Sequence, residues 1–317
     1  MKVLLTGGAG FIGGHVAEAY LERGDRVWVV DDLSTGRRSN VPAGVELLRM
    51  DIRDEALRDL FRATGGFDIV NHHAAQIDVR VSVAQPRRDA GINIDGFLNV
   101  LELSARHGVG RFVFVSSGGV VYGEPERVPT PETAPKLPLS PYGVSKLAAE
   151  FYLHYYHRVH GLDYVALRYS NVYGPRQDPH GEAGVVAIFS QKILASQALI
   201  VYGDGEQTRD YVYVGDVAQA NLAAGLALLP VATGLDDRAF NVGTGRETSV
   251  NGLAAELQAV AGREVEIRRA PERPGELRRS CLDTSRLESL GWRAATSLAE
   301  GLGRTFAHIA ETEGKRA

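Results

Sequence analysis

Residues 6–13 read Thr6-Gly7-Gly8-Ala9-Gly10-Phe11-Ile12-Gly13, directly after the apolar run 3–6 and directly before a stretch with helical periodicity. Gly7, Gly10 and Gly13 have no side chains, so backbone N–H groups and a helix N-terminus can approach a pyrophosphate. The last glycine also lets the helix pack closely on the strand. The stretch therefore predicts a strand–turn–helix unit that binds a dinucleotide.

The following residues alternate β-prone apolar runs with helix-period stretches. We expect strands over 3–6, 26–30, 45–50, 68–71, 111–116 and 163–169, and helices over 11–23, 55–64, 89–106 and 142–160. Continuously apolar strands that alternate with helices are typical of a parallel sheet covered on both faces. The predicted fold class is α/β: a Rossmann-type doubly wound parallel sheet with a smaller mixed α/β substrate-binding lobe.

The regular alternation ends after residue 176, where the chain becomes rich in loops. We predict a dinucleotide-binding domain over residues 1–175, to which residues 210–247 return with one helix and one strand. A second lobe is then built from residues 176–209 and 248–317.

The composition is that of an ordinary globular protein, with 44% hydrophobic and 23% charged residues and a net charge of -4. No apolar run approaches the roughly 18 to 20 residues that a membrane span needs. The arginine pairs are scattered, so neither a membrane nor a nucleic acid is a predicted partner. The chain runs straight into its first predicted strand without a signal-like segment, and we expect a cytoplasmic protein.

A carboxylate pair, Asp31 and Asp32, follows the second predicted strand. Asp31 lies about 18 residues past the last glycine of the turn, where a carboxylate can hydrogen-bond the 2′-hydroxyl of an adenosine ribose. A 2′-phosphate would meet like charge there, so the sequence favours NAD over NADP. Arg37 and Arg38 lie just beyond and are the residues that could accept such a phosphate.

A second decisive stretch is Tyr142-Gly143-Val144-Ser145-Lys146, at the start of a predicted helix. The four-residue step places Tyr142 and Lys146 on one face of that helix. A phenol in water has a pKa near 10, so a tyrosine that works as a base near neutral pH needs a positive charge beside it. We predict that Tyr142 moves a proton and that Lys146 tunes it and holds the nicotinamide ribose.

These segments make the chain similar to the extended short-chain dehydrogenase/reductases, and among them to the nucleotide-sugar epimerases. The likeness covers nearly the whole length. It rests on ordered matches at the glycine turn, residues 31–36, residues 72–76, Asn93, the Tyr142/Lys146 pair, residues 168–176 and residues 207–212.

The resemblance implies a bound NAD and a UDP-sugar substrate. By this resemblance, residues 1–175 with 210–247 form the NAD-binding domain, and residues 176–209 and 248–317 form the nucleotide-sugar-binding lobe. The predicted NAD contacts are Gly7, Gly10, Phe11, Ile12, Gly13, Asp31, Asp32, Asp51, Ile52, Ala74, Ala75, Asn93, Ser116, Tyr142, Lys146 and Tyr169. The predicted substrate contacts are Ser117, Asn171, Val185, Tyr202, Arg209, Arg273, Glu276 and Ser280. Arginines suit a diphosphate and a carboxylate suits a uridine ribose, although Arg209 and Arg273 could instead be surface or ion-pair arginines.

One position departs from the family pattern. Members carry a serine or threonine three residues before a Val-Tyr-Gly run, where it hydrogen-bonds the reacting sugar hydroxyl, and this chain carries Gly118 followed by Gly119. Side chains alternate faces along a strand, but two glycines give the backbone freedom to redirect Ser117. We predict Ser117 as the substitute; a water molecule, or Tyr142 alone, is the alternative.

The same glycines bear on the type of reaction. Related 4,6-dehydratases carry an Asp-Glu pair here, and related decarboxylases carry a glutamate nearby. This chain has Gly118-Gly119-Val120 instead, without a carboxylate. Without an acid that protonates a leaving hydroxyl, the reaction is expected to stop at oxidation and re-reduction.

The resemblance thus implies 4-epimerisation of UDP-glucose and UDP-galactose, and the small Ser280 leaves room for UDP-GlcNAc and UDP-GalNAc. Two alternatives stay open: an epimerase of another nucleotide sugar such as UDP-glucuronate, and a catalytically idle NAD-binding regulatory protein. The resemblance also implies a homodimer formed through a four-helix bundle by the helices over 89–106 and 142–160. No metal site is predicted, because His154, His157 and His160 drift around their helix and no cysteine or carboxylate cluster accompanies them.

Overall fold

The computed structural model describes residues 1–179, 184–272 and 277–314. Within these ranges the chain forms the following strands: β1 (Lys2–Thr6), β2 (Arg26–Asp31), β3 (Glu46–Arg49), β4 (Ile69–His72), β5 (Arg111–Ser117), β6 (Tyr164–Tyr169), β7 (Asn171–Tyr173), β8 (Leu199–Tyr202), β9 (Thr208–Arg209), β10 (Tyr211–Tyr213), β11 (Ala239–Val242), β12 (Thr248–Ser249), β13 (Ile267–Ala270) and β14 (Arg279–Ser280).

The helices in the same ranges are α1 (Phe11–Glu22), α2 (Leu57–Thr64), α3 (Val79–Ala84), α4 (Pro86–Ala90), α5 (Phe97–Arg106), α6 (Gly118–Val121), α7 (Pro141–His160), α8 (Val185–Leu194), α9 (Val214–Leu226), α10 (Val250–Ala261), α11 (Ser285–Glu288) and α12 (Leu298–Gly314). Two short 3-10 helices cover Arg38–Asn40 and Leu235–Arg238. None of the helices in the described part of the chain has the length and apolar character of a membrane span.

Seven strands form one parallel sheet in the order β11-β6-β5-β4-β1-β2-β3. The strand order reverses between β1 and β4, where helices leave toward opposite faces. In sheets of this type a crevice opens beyond the carboxyl ends of the strands at that reversal. The predicted fold class is confirmed, and the glycine turn lies at the crevice.

Each strand sends alternate side chains into two separate cores. In β1, Val3 and Leu5 pack in the core that includes Val16 of α1, whereas Leu4 faces the other core with Leu153 of α7. Apolar burial on both faces stabilises the sheet and makes its strands apolar along their whole length, as expected for a doubly wound sheet. The two faces therefore hold α1 and α7, the helices that carry the two decisive sequence stretches.

A third core lies outside the sheet. Phe189 of α8, Leu199 of β8, Leu257 of α10 and Leu302 of α12 are buried together there. Two small sheets belong to the same region, β13-β8 and β12-β9-β14. Leu287 and Trp292, which follow β14, pack instead in the core beneath the large sheet, so the stretch 248–317 contributes to both.

The helix predicted over 89–106 differs from a regular one. It begins at Pro86, and a π turn over Gly91–Gly96 joins α4 to α5. The two glycines that bound this turn are poor helix formers, and π turns occur often at functional sites. The turn places Asn93 inside the protein rather than on the outer face of a helix.

Candidate active site

The glycine turn forms the tight connection that the sequence predicts. Gly7 has a φ of 70°, and a Cβ at this residue would lie 2.5 Å from the backbone nitrogen of Ala74, in the loop after β4. A Cβ on Gly13 would lie 2.3 Å from the carbonyl oxygen of Gly7. Strand β1, helix α1 and the loop after β4 therefore meet at the crevice with only backbone between them.

Helix α1 presents unsatisfied amides to this crevice. Its N-cap residue, Gly10, has no side chain with which to cap them, and the first amide to bond within the helix is that of Gly14, which donates to the carbonyl of Gly10 at 3.1 Å. The amides of Phe11, Ile12 and Gly13 thus have no partner in the helix. Such amides carry partial positive charge and bind phosphate groups.

Asp31 ends β2 at the edge of the same crevice and is held in one orientation. Its Oδ2 accepts a hydrogen bond from the amide of Ala9 at 2.9 Å, and its Oδ1 accepts one from the amide of Leu33 at 2.9 Å. Burial raises the pKa of the Asp31 carboxyl from its ordinary value. Each oxygen keeps a further lone pair for a ribose hydroxyl. Arg37, which could have met a 2′-phosphate, forms an ion pair with Asp178 at 2.6 Å.

Five other predicted cofactor residues follow the carboxyl ends of neighbouring strands. Asp32 after β2 accepts a hydrogen bond from the hydroxyl of Ser34 at 2.6 Å, and Asp51 after β3 binds the guanidinium of Arg53. Ile52 is buried against Gly96 of the π turn. The amide of Ala74 after β4 donates to the hydroxyl of Thr6 at 3.3 Å, and Ala75 is the next residue. The fold thus brings these predicted residues to one edge of the sheet.

Replacing Gly7 with alanine is expected to abolish this geometry. The new Cβ collides with backbone atoms, which cannot rotate away, and the positive φ adds strain. We expect NAD affinity to fall by about 100-fold and the unfolding free energy to fall by roughly 2 to 3 kcal/mol more than in the control. The control is Gly24→Ala, because Gly24 has a φ of 89° and open space around its Cβ position. NAD affinities from calorimetry and melting temperatures that are the same in the two variants would contradict the crowding at Gly7.

Tyr142 and Lys146 lie in the first turns of α7, whose start is fixed by its own sequence. Ser140 caps the helix, with its hydroxyl accepting from the amide of Gly143 at 3.1 Å, and Pro141 occupies the first turn. The Nζ of Lys146 lies 5.7 Å from the ring centroid of Tyr142. The predicted pair is therefore brought together as the helical spacing requires.

The ammonium of Lys146 is buried and oriented. Its Nζ donates to the carbonyl of Val115 on β5 at 2.9 Å and lies 5.0 Å from the ring centroid of Phe114. Burial lowers the pKa of Lys146 to about 8, and the negative charges of Asp89 and Glu150 act in the opposite direction. Below that pH the lysine carries a positive charge close to Tyr142, which favours the phenolate.

The glycine at position 118 has a packing reason. A Cβ on Gly118 would lie 2.5 Å from a methyl carbon of Leu282, which is buried over this point. Leu282 thus fills the space that a serine or threonine side chain would need. At Gly119, by contrast, the nearest atom to a Cβ position is the hydroxyl oxygen of Ser117 at 3.8 Å, so the space beside that hydroxyl is open.

The backbone before these glycines is not redirected. Ser117 has a φ of -138° and a ψ of 111°, which continues the extended chain of β5. Its neighbour Ser116 points toward α7, where its hydroxyl donates to Glu150 at 2.5 Å. Side-chain alternation therefore places the Ser117 side chain on the other face of the strand. Within the described ranges, the Ser117 hydroxyl forms no hydrogen bond.

The structure adds a buried network that the sequence analysis did not identify. Arg168 of β6 is fully buried and pairs with both carboxylate oxygens of Glu150, and it also donates to the Tyr122 hydroxyl at 3.0 Å and to Asp236 at 2.9 Å. Glu150 was the available signal. It lies four residues after Lys146 and therefore on the same face of the helix, which is buried, and buried carboxylates require partners.

Tyr169 and Asn171 lie on either side of the end of β6. The hydroxyl of Tyr169 accepts a hydrogen bond from Asn221 at 2.6 Å, and its ring lies 6.5 Å from that of His73, which follows β4. Burial raises the pKa of the Tyr169 hydroxyl and lowers the pKa of His73 to about 3. Neither group changes charge near neutral pH. Asn171 is exposed at the start of β7.

The predicted substrate residues of the second lobe gather near the small sheets. Val185 begins α8, Tyr202 ends β8, and Arg209 and Ser280 are direct partners on β9 and β14. The guanidinium of Arg209 donates to the carbonyl of Leu277 at 2.9 Å. Arg273 and Glu276 lie outside the described residues. Across the described ranges, no cluster of three or more histidine, cysteine or carboxylate side chains could hold a metal ion.

The chain is similar to known proteins over nearly its whole length. A family model described as the NAD dependent epimerase/dehydratase family matches residues 3–243. The UDP-glucose 4-epimerase of Mycolicibacterium smegmatis is 44% identical over 311 residues, which are 96% of this chain and 97% of that protein. The structure of the Thermotoga maritima UDP-glucose 4-epimerase with UDP-glucose has a TM-score of 0.94 and 45% identity, covering 99% of this chain and 100% of that one. The Thermus thermophilus UDP-glucose 4-epimerase complex with NAD has a TM-score of 0.90 and 46% identity, covering 98% and 99%.

Proposed function

The chain belongs to the NAD dependent epimerase/dehydratase family, and from this premise we propose that it is a UDP-hexose 4-epimerase that interconverts UDP-glucose and UDP-galactose. The observation that carries the proposal is the buried Lys146 ammonium beside Tyr142, at the crevice that the glycine turn opens. Binding of a cofactor alone needs no such pair. The arrangement therefore favours an active enzyme over a catalytically idle NAD-binding protein.

The residues at the crevice fit NAD. The glycine turn leaves a cradle that Cβ atoms would fill, the amides of α1 face it, and Asp31 is fixed where an adenosine ribose would lie. When bound, NAD supplies a reversible acceptor for the hydride of sugar carbon 4. The α1 amides would hold the phosphates of NAD, Asp31 would hold the adenosine ribose, and Lys146 would hold the nicotinamide ribose.

Tyr142 moves the proton of the reaction. As a phenolate it takes the proton of the sugar 4-hydroxyl while carbon 4 is oxidised to a ketone. The 4-keto sugar then turns its other face, and Tyr142 returns the proton to the oxygen when carbon 4 is reduced with inverted configuration. The ammonium of Lys146 stabilises the phenolate through space, and a base matched to neutral pH in this way accelerates proton transfer.

We propose that Ser117 steadies the 4-hydroxyl from the face of β5 opposite α7, so that the sugar would lie between the Ser117 hydroxyl and Tyr142. Its hydroxyl faces the open space beside Gly119. The adjoining segment contains no carboxylate, because Gly118, Gly119 and Val120 occupy the positions nearest to it. Elimination of water needs an acid for the leaving hydroxyl, so the site supports oxidation and re-reduction without dehydration.

The proposal is tested by incubating the purified protein with a panel of UDP-sugars and separating the products by chromatography. We expect UDP-glucose and UDP-galactose to interconvert to the same final ratio from either side. UDP-glucuronate is the comparison substrate, since its carboxylate would need an additional cation near the sugar. Exclusive turnover of UDP-glucuronate would replace the proposed substrate, and the absence of product from every UDP-sugar would support a non-catalytic NAD-binding protein.

The small side chain of Ser280 supports extending the proposed substrate range to UDP-GlcNAc and UDP-GalNAc. Ser280 is buried next to Arg209, and its side chain is small. We expect the wild-type chain to convert both the plain and the N-acetyl pairs, and Ser280→Tyr to lose the N-acetyl pair by more than about tenfold because the ring occupies the space of the acetamido group. Ser280→Ala is the control and should keep both. No conversion of the N-acetyl pair by a wild-type preparation that converts the plain pair would contradict this.

We propose a homodimer in which α7 pairs with its symmetry copy. Val144, Phe151, Tyr155 and Val159 form an exposed apolar stripe along this helix, with between 49% and 59% of each side chain accessible. Exposed apolar stripes of this length mark interfaces between chains. Phe151→Asp is expected to give a monomer in light scattering, whereas the control Ala255→Asp on α10 stays dimeric. A monomeric wild-type mass at micromolar concentration would contradict the proposal.

A further inference from the structure

One buried carboxylate lies close to the proposed catalytic pair without belonging to it. Asp89 of α4 is fully buried and accepts three hydrogen bonds. Their donors are the Ser145 hydroxyl at 2.6 Å, the Asn93 side-chain amide at 3.0 Å and the Gln76 side-chain amide at 3.1 Å. Over the described residues, no arginine or lysine donates a hydrogen bond to it. A buried carboxylate without such a partner is costly, and its retention calls for a reason.

The three donors come from three different parts of the site. Ser145 precedes Lys146 on α7, Asn93 lies in the π turn, and Gln76 follows Ala74 and Ala75 in the loop after β4. Asn93 ties the loop further, because it accepts from the Gln76 amide at 2.9 Å and donates to the Gln76 carbonyl at 2.8 Å. Asp89 therefore accepts hydrogen bonds both from the loop after β4, called the cofactor loop below, and from α7.

The charge of Asp89 acts on the ammonium of Lys146. The groups that face Lys146 are Asp89 from α4, Glu150 and Tyr142 from α7, and His72 and His73 from the end of β4. Burial keeps both histidines neutral by lowering the pKa of each. Glu150 is already paired with Arg168. Burial lowers the pKa of Lys146, and the charges of Asp89 and Glu150 raise it. Of these two charges, that of Asp89 has the larger effect.

We propose that Asp89 is a positioning residue of the epimerase reaction: its charge keeps Lys146 in the ammonium form beside Tyr142, and its bond to Ser145 fixes α7 against the cofactor loop. This inference rests on the proposed function. Asp89 acts through Lys146 and Ser145 and touches no reacting atom.

The two parts of this role are separated by a matched pair of variants. Asp89→Asn removes the charge and keeps the hydrogen bonds, because the Ser145 hydroxyl can accept from the new amide. Ser145→Ala removes the hydrogen bond and keeps the charge. We expect the alkaline fall of kcat, near pH 8 in the wild type, to move about one pH unit lower in Asp89→Asn with KM little changed. In Ser145→Ala, kcat should fall at the same pH as in the wild type.

A second readout does not depend on turnover. Lys146 is expected to hold the nicotinamide ribose, so NAD affinity measured by calorimetry should weaken as this lysine loses its proton. We expect the weakening at a lower pH in Asp89→Asn than in the wild type. Should no UDP-sugar be converted, the calorimetric comparison still tests Asp89, so the two proposals fail separately.

Melting curves establish that each variant is folded. If Asp89→Asn does not fold, Asp89→Ser takes its place, since it also removes the charge on which the shift depends. An alkaline fall of kcat and a pH dependence of NAD affinity that are the same in the uncharged variant and the wild type would overturn the proposal.

Discussion

Tyr142→Phe is expected to lower kcat by about three orders of magnitude while the chain keeps its fold and its affinity for NAD. The substitution removes only the hydroxyl that exchanges a proton with the sugar, and positioned acid–base groups contribute roughly 10² to 10⁴ to rate. The ring still packs at the start of α7, and the glycine turn is unchanged. Turnover of UDP-galactose, NAD binding and thermal melting measure the three quantities separately.

A control on the same helix shows whether the effect is specific to the hydroxyl at position 142. Tyr152→Phe removes an equivalent hydroxyl from the exposed side of α7 and should leave kcat unchanged. Ser117→Ala should lie between the two, with a loss of about tenfold, since one hydrogen bond to the reacting hydroxyl is removed. Wild-type turnover in Tyr142→Phe would remove Tyr142 from the reaction, and wild-type turnover in Ser117→Ala would leave the hydroxyl to water.

Arg168→Met is expected to be the most destabilising of the substitutions considered. Arg168 is fully buried, and its loss leaves the carboxylate of Glu150, which is 1% exposed, without the guanidinium that pairs with it directly. Breaking a buried pair in this way costs about 3 to 5 kcal/mol of unfolding free energy. For a chain of this size, that lowers the melting temperature by roughly 10 °C.

The double variant Arg168→Met/Glu150→Leu shows whether the single variant is destabilised by the unpaired carboxylate of Glu150 or by the loss of packing around Arg168. Buried pairs replaced by apolar residues of similar volume are often neutral in stability. We expect the double variant to recover most of the loss, and Arg304→Ala, which breaks an exposed pair with Glu300, to melt like the wild type. A single variant with wild-type melting, or a double variant that melts below the single one, would contradict a charge-balancing role for Arg168.

The parts of the site that the sequence could predict are those built from consecutive residues. The glycine turn, Asp31 and the Tyr142/Lys146 pair each depend on a local strand, turn or helix, whose geometry is set by residue type and spacing. The structure places all of them near the carboxyl ends of the strands of one sheet. Lys146 is an instructive case, because its position followed from helical spacing, whereas its contact with the Val115 carbonyl required the strand to be in place.

The parts that the sequence could not predict depend on residues far apart in the chain. Leu282 fills the space over Gly118, and this contact explains the glycine through packing, whereas we had expected the glycine to redirect the backbone at Ser117. Asp89 meets Ser145 across two helices. Such contacts are set by how elements pack against one another, and periodicity within a single element carries no information about them.

Transient oxidation at sugar carbon 4 is tested most directly with UDP-glucose that carries deuterium at that carbon. Hydrogen that leaves and returns as hydride within the closed site does not exchange with water, whereas hydrogen removed as a proton does. We predict UDP-galactose that retains the deuterium at carbon 4, as measured by mass spectrometry and NMR after incubation in ordinary water. UDP-galactose with solvent hydrogen at carbon 4, or no UDP-galactose at all, would contradict the proposed chemistry.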